Sequence, residues 1–315
     1  MAIKTKPTRI VVVGAGAVGA TTAYTLFLRS RATEIVLIDT NVRKANGEVL
    51  DMQHGLPFVG GSRIWVGTYQ DCADADIVIV TAGVAQRPGE TRQQLLVRNV
   101  RIMRDVVGQL RSYNFQGILL VATNPVDVLS YVANKEANLP AGHVIGSGTV
   151  LDSARFRFLL GSELGVDPRS VHAHIIGEHG DTEVPVWSTA NVVGTLIDLT
   201  AEKRRRVALQ TRKAAYEIIE SKGYTSYAIA LALDRICTAI LYDEHAVLNV
   251  STLLHEYRGI SDVYMGVPCV IGASGVENVI DLPLSVREQT AFEASARELR
   301  ARIQQALAIA KEGEA

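Results

Sequence analysis

The sequence spells out an α/β protein: a doubly wound parallel sheet over residues 1–148, followed by an α+β domain over 149–315. Short apolar runs alternate with helical stretches through the first half, the pattern of parallel strands joined by crossover helices. A glycine-rich turn closes the first of these runs. Past residue 150 the alternation stops, and longer amphipathic helices mingle with paired strands.

The first element is RIVVV, Arg9–Val13, a β-branched run that suits a strand buried on both faces. Gly14, Gly16 and Gly19 follow as G-x-G-x-x-G and lead into helical spacing. The next strand, EIVLID, ends at Asp39. In that order each glycine has a task. Gly14 permits the tight turn, Gly16 lets the backbone approach a pyrophosphate, and Gly19 lets helix pack close to strand. The helix N-terminus faces the phosphates, and Asp39 accepts from ribose hydroxyls. Strand, glycines, helix, strand and acid together describe a Rossmann dinucleotide unit. A 2′-phosphate about 4 Å from the Asp39 carboxylate would cost up to about 4 kcal/mol at an effective dielectric near 20. NAD is therefore expected rather than NADP.

ADIVIVTAG (75–83) and GILLVATNP (117–125) supply two further strands. Between them VAQRPGETRQQLLVRN reads as a polar loop and then a helix. Strands end at Asp39, Gly83 and Asn124, and ligands in such sheets bind beyond the carboxyl ends. A loop there carrying Gln86, Arg87 and Arg92 reads as a lid, with ordinary surface the lesser alternative.

In the second half a helix is expected over 152–164, placing Asp152 and Arg155 on one face. The strand in SVHAHIIGEHGD turns His172, His174 and Ile176 to one side, and His179 falls in the turn after it. KGYTSYAIALALDRICTAIL reads as one long amphipathic helix, VYMGVPCVIGASGVENVI as paired strands, and REQTAFEASARELRARIQQALAIAK as a closing helix. An acid, an arginine and a histidine beside a dinucleotide unit suggest hydride transfer at a secondary alcohol. Histidine titrates near neutrality and suits a proton carrier, and a carboxylate behind it would fix the ring. Arginine offers a planar, permanently charged fork for a substrate carboxylate. Taken alone, the same residues also read as a surface i,i+3 ion pair and a polar strand end.

Bulk properties narrow the partners. A net charge of -1 argues against a nucleic-acid footprint, and the EKRRR run at 202–206 reads as a solvated helix face. No uncharged stretch approaches the roughly 20 residues that span a bilayer, so no membrane is expected. The polar start and three scattered cysteines, Cys72, Cys237 and Cys269, fit a cytoplasmic protein without disulfides or a metal site.

VVVGAGAVG, AGVAQRPGETR, VATNPVDVL, VLDSAR, IIGEHGDTEVPVWS and KGYTSYAIA together resemble the lactate and malate dehydrogenase family, and within it the bacterial-type L-lactate dehydrogenases. The likeness runs along essentially the whole chain. It implies reversible reduction of pyruvate to L-lactate with NAD, by a cytoplasmic homotetramer. It makes His179 the acid/base, Asp152 its orienting carboxylate and Arg155 the substrate-carboxylate anchor. Arg92 would polarise the carbonyl, Asn124 would bond substrate and seat the nicotinamide, and Gln86 and Thr225 would wall the pocket. Gly14, Gly16, Val18, Gly19, Asp39, Lys44, Tyr69, Gly83, Val84, Ala122, Thr123, Asn124, Ser147 and Ile229 would line the NAD groove. Arg157 and His172 match positions that bind fructose 1,6-bisphosphate as an effector. Two alternatives stay open. Malate-specific members carry arginine where this chain has Gln86, and Arg87 is one residue away. A non-catalytic NAD-binding protein would lack catalytic residues, and none is missing here.

Overall fold

The computed structural model describes residues 7–84 and 91–312. Its first half runs β1 (Arg9–Val13), α1 (Ala17–Leu28), β2 (Glu34–Ile38), α2 (Val42–His54), the short α3 (Leu56–Val59), β3 (Arg63–Val66), β4 (Ile77–Val80), α4 (Arg92–Ser112), β5 (Ile118–Val121), α5 (Val126–Ala137) and β6 (Val144–Gly146). These strands pair in parallel in the order β3-β2-β1-β4-β5-β6. The order reverses between β1 and β4, which opens a crevice at their carboxyl ends. β2, β4 and β5 are buried along their whole length, as continuous apolar strands require when helices cover both faces.

The second half adds α6 (Val150–Leu164), β7 (Val171–Ile176), β8 (Val184–Val192), β9 (Thr195–Leu196), α7 (Ala201–Lys222), α8 (Tyr227–Leu241), β10 (Ala246–Leu253), β11 (Tyr264–Gly272), β12 (Gly275–Val279) and α9 (Val286–Glu312). The sheet does not stop with the first half. β10 joins the edge strand β6 antiparallel at Ser251↔Gly146, and β11 and β12 extend the sheet to nine strands. Gly146 makes the junction possible, since a Cβ there would lie 2.8 Å from the Ser251 Cβ. β7, β8 and β9 form a separate sheet over a second apolar cluster, where Phe156 meets Trp187 edge-on at 4.9 Å.

The expected single helix over 222–241 is two elements. Gly223 takes a left-handed conformation, φ 89°, and donates back to the Ile219 carbonyl, which caps α7. α8 then starts afresh at Tyr227. Short polar residues such as Thr225 and Ser226 favour helix ends over interiors, and here they fill the break. α8 lies against α1, and its buried Asp234 accepts from Arg29 at 3.0 Å and Arg31 at 2.8 Å. That pairing fixes α8, and with it Ile229, on the dinucleotide unit. No helix among the described residues is long and apolar enough to cross a membrane.

Candidate active site

At the end of β1 the three glycines are under different constraints. Gly14 has φ 109°, and a Cβ there would sit 2.7 Å from the Ala82 amide. At Gly19 a Cβ would reach within 1.8 Å of the Gly14 carbonyl oxygen, so only glycine lets α1 approach the strand. A Cβ at Gly16, which caps α1, would meet nothing within 4 Å. That open space above a helix N-terminus fits a pyrophosphate. Asp39 braces the same loop: its carboxylate accepts from the Ala15 amide at 2.6 Å and the Asn41 amide at 2.7 Å. Each oxygen keeps a second lone pair for a ribose hydroxyl.

The rest of the groove is assembled from the strand ends. Val84 donates to Asn99 Oδ1 at 2.9 Å, and Asn99 Nδ2 donates to the Asn124 carbonyl at 3.0 Å. The buried Thr123 hydroxyl bonds the Ala82 carbonyl at 2.8 Å, and a Cβ at Gly83 would strike its methyl group. Asn124 is exposed at the carboxyl end of β5, and the Ser147 amide bonds back to Val121. Val18, Ala122 and Ile229 are half-buried against the main core. Burial pushes the Tyr69 hydroxyl up to about 12, with the Asp39 charge a smaller contributor. Lys44 is exposed in the first turn of α2. Thr225 is half-buried in the break before α8. Gln86 and Arg87 lie outside the described residues, as does the side chain of Arg92, whose backbone opens α4.

A polar clasp brings the second half's chemistry together. The Ile175 carbonyl accepts from Thr149 at 2.6 Å and from Asn249 Nδ2 at 2.8 Å, while its amide donates to Ser153 at 2.9 Å. All four residues are buried, so the start of α6, β7 and β10 share one fixed geometry. Asp152 and His179, 27 residues apart, meet as a result. Asp152 Oδ2 lies 2.5 Å from His179 Nδ1, and Oδ1 accepts from Arg155 Nη1 at 3.0 Å. The Asp152 side chain is 4% exposed, against 13% for Arg155 and 24% for His179. This is no surface ion pair.

The electrostatics follow from that burial. The Asp152 carboxylate raises His179 to about 9, against the desolvation that would lower it. Burial would raise Asp152, yet His179 and Arg155 overcome it and hold the carboxyl below its ordinary range. The buried carboxylate thus favours the protonated form of the imidazole.

Sequence reasoning passed over three acids beside the histidine, each inside a motif it had singled out. Asp127, in NPVDVL, accepts from the His179 amide at 2.8 Å. Glu178, in GEHGD, is buried against α9. Glu183, in TEVP, is 5% exposed with one carboxylate oxygen unpaired, and burial, then the Asp152 charge, push it well up. Their neighbours in space come from distant chain segments, so spacing gave no signal.

Arg157 points elsewhere. It lines a cavity of about 370 Å³ with His174 and Asn249, half-buried, its Nε unpaired and one Nη donating to the Arg169 carbonyl. His172 is exposed, and both it and Arg157 help depress the neighbouring His174, after burial. A second cavity of about 1050 Å³, lined by His255, Tyr257 and Arg258 among others, contains none of the catalytic candidates.

A dinucleotide cradle at a sheet switch point, facing a histidine–aspartate pair and a half-buried arginine, defines an NAD-dependent dehydrogenase of 2-hydroxy acids. Residues 8–146 match the family model for the lactate/malate dehydrogenase NAD binding domain, and residues 149–310 match that for the alpha/beta C-terminal domain. The chain belongs to the lactate/malate dehydrogenase family. It is 49% identical to the L-lactate dehydrogenase of Acetivibrio thermocellus over 89% of this chain and 91% of that one. Identity to the L-lactate dehydrogenase of Priestia megaterium is also 49%, over 92% and 94% of the two chains. The solved structure of a minor L-lactate dehydrogenase from Enterococcus mundtii superposes with a TM-score of 0.93 at 42% identity, covering 94% of this chain and 98% of that one.

Burial pushes the Asp127 carboxyl up to about 6, against the pull of the His179 amide. A raised folded-state pKa stabilises fully below the unfolded value near 3.9, and that stability is lost as pH rises through about 6. Asp127→Asn should therefore flatten the pH dependence of stability between about pH 4 and 7 by about 1–3 kcal/mol. Urea denaturation across that range checks it, and an unchanged profile would show that Asp127 does not titrate there.

Proposed function

We propose that the protein is an L-lactate dehydrogenase that reduces pyruvate reversibly to L-lactate with NADH. The observation that carries this reading is the His179 ring bonded through Nδ1 to a buried carboxylate that also bonds Arg155. The division into 1–148 for NAD and 149–315 for substrate belongs to the same reading. Bound NADH supplies the hydride for the carbonyl carbon. His179 gives its proton to the carbonyl oxygen as that oxygen becomes a hydroxyl. Asp152 keeps the Nδ1–H pointed at itself, which leaves Nε2–H for the substrate. Arg155 has donors beyond the one bonded to Asp152 and grips the substrate carboxylate as a fork. Arg92 polarises the carbonyl, and Asn124 and Thr225 complete the pocket. Gln86 favours a methyl group over a second carboxylate, because a buried unpaired carboxylate costs several kcal/mol. The relatives named above, all L-lactate dehydrogenases, support the same choice.

Assembly as a homotetramer fits the apolar side chains left open on α2 and α3: Val42, Leu50, Leu56 and Phe58, the last 90% exposed. Arg157, with its unpaired Nε beside His172 and His174, suits a phosphate group. We read it with His172 as the binding site for fructose 1,6-bisphosphate, which would neutralise their repulsion and favour the active state.

NADH oxidation with pyruvate should exceed that with oxaloacetate, and should fall as pH rises through about 9, where His179 loses its proton. His179→Asn should bind NADH normally yet lose about 10²–10⁴-fold in kcat. Preference for oxaloacetate would indicate malate dehydrogenase instead, and a variant keeping more than about a tenth of wild-type kcat would remove His179 from the chemistry.

Fructose 1,6-bisphosphate should lower the apparent KM for pyruvate by about 5- to 150-fold, and Arg157→Gln should abolish the effect. Identical titrations with and without the bisphosphate would refute activation. Activation surviving in the variant would move the site elsewhere.

A further inference from the structure

Glu178 immediately precedes the catalytic histidine, takes no part in the chemistry above, and is buried, its side chain 4% exposed. A carboxylate in that position needs partners. One oxygen is ion-paired with Arg302 Nη1 and the other accepts from the Thr182 hydroxyl and, at 3.3 Å, from the Thr182 amide. Arg302 belongs to α9, over a hundred residues away, and its other Nη is held by Glu298 at 3.1 Å. The same helix bonds the loop again: Ser295 Oγ accepts from the Glu178 amide at 2.9 Å and lies 2.9 Å from the Thr182 hydroxyl. Gly177 pairs with Gly266 of β11 through two backbone bonds. The loop carrying His179 is thus fastened to α9 on one side, to β11 at its base, and to Asp127 and Asp152 through the histidine itself.

We propose that Arg302 is a positioning residue for His179, acting through its ion pair with the buried Glu178 carboxylate. Buried ion pairs contribute little net stability compared with apolar replacements, but losing one partner leaves a buried charge uncompensated. Without Arg302 the Glu178 carboxylate keeps only its Thr182 partners and is drawn toward water. That swing moves the backbone one residue from the catalytic ring. A displacement on the order of 1 Å at a reacting group costs about 10²-fold in rate. The nucleotide groove is built by other elements, so cofactor binding stays as it is.

The inference rests on His179 being the proton carrier, so the experiment carries His179→Asn beside Arg302→Gln and Arg302→Lys in the full-length enzyme. Pyruvate-dependent kcat and the NADH dissociation constant are measured for each. Arg302→Gln should lose about 10- to 100-fold in kcat with NADH binding within about twofold of wild type, and Arg302→Lys should recover most of the loss. A glutamine variant with unimpaired kcat, a matching loss of NADH binding, or a lysine variant no better than glutamine would each overturn it. If His179→Asn is inactive while Arg302→Gln works normally, the strut alone is wrong. If His179→Asn itself stays active, the reading of the site fails and the inference falls with it.

Discussion

The carboxylate of Asp152 lies out of water between two cationic partners, with His179 on one oxygen and Arg155 on the other. Burying that charge alone would cost several kcal/mol, and the two partners offset it while fixing the carboxylate's orientation. The arrangement couples two tasks that could have been separate. The group that raises the basicity of the ring also aligns the guanidinium. A substrate gripped by its carboxylate would therefore meet the proton donor in a set geometry, since both side chains are indexed to the same buried atoms.

Much of the fold serves that placement. The parallel sheet opens a crevice where its strand order reverses, and the glycine loop at the end of β1 brings a helix N-terminus to it. Across the crevice, the buried clasp of Thr149, Ser153, Ile175 and Asn249 locks α6 to β7 and β10. β10 is in turn a strand of the main sheet, through Ser251 and Gly146. The histidine pair is thus joined to the cofactor cradle by a continuous run of hydrogen bonds, first through the side-chain clasp and then through the main sheet. The Asp234 ion pairs from α8 to the end of α1 brace the same junction from the helical side.

What could be read in the sequence was what local geometry dictates. Gly14, Gly16, Gly19 and Asp39 were legible because a turn, a helix start and a strand end lie close together in the chain. The i,i+3 relation of Asp152 and Arg155 was legible as a shared helix face. Its burial was not, and neither was its meeting with His179, which depends on Asn249, about a hundred residues from Ser153. Only the family likeness bridged that gap. Asp127, Glu178, Glu183 and Arg302 stayed invisible for a related reason: an acid next to a turn reads as solvated until the element covering it is known. The break at Gly223 was missed because the apolar spacing on either side of it runs on as if one helix continued. β3, β6, β8, β9 and β10 were missed as well. β6 is only three residues long, and β8 carries Pro185 and leaves every second residue half-buried.

The most direct test of the shared carboxylate is the protonation state it imposes on the ring. Histidine can be labelled with ¹⁵N and the His179 signals assigned by their loss in His179→Asn. At about pH 7.5, above the ordinary histidine pKa, both ring nitrogens of His179 should carry protons, and replacing Asp152 by Asn should return the ring to its neutral form. A neutral His179 ring in the wild-type protein at that pH would contradict the central role given to Asp152.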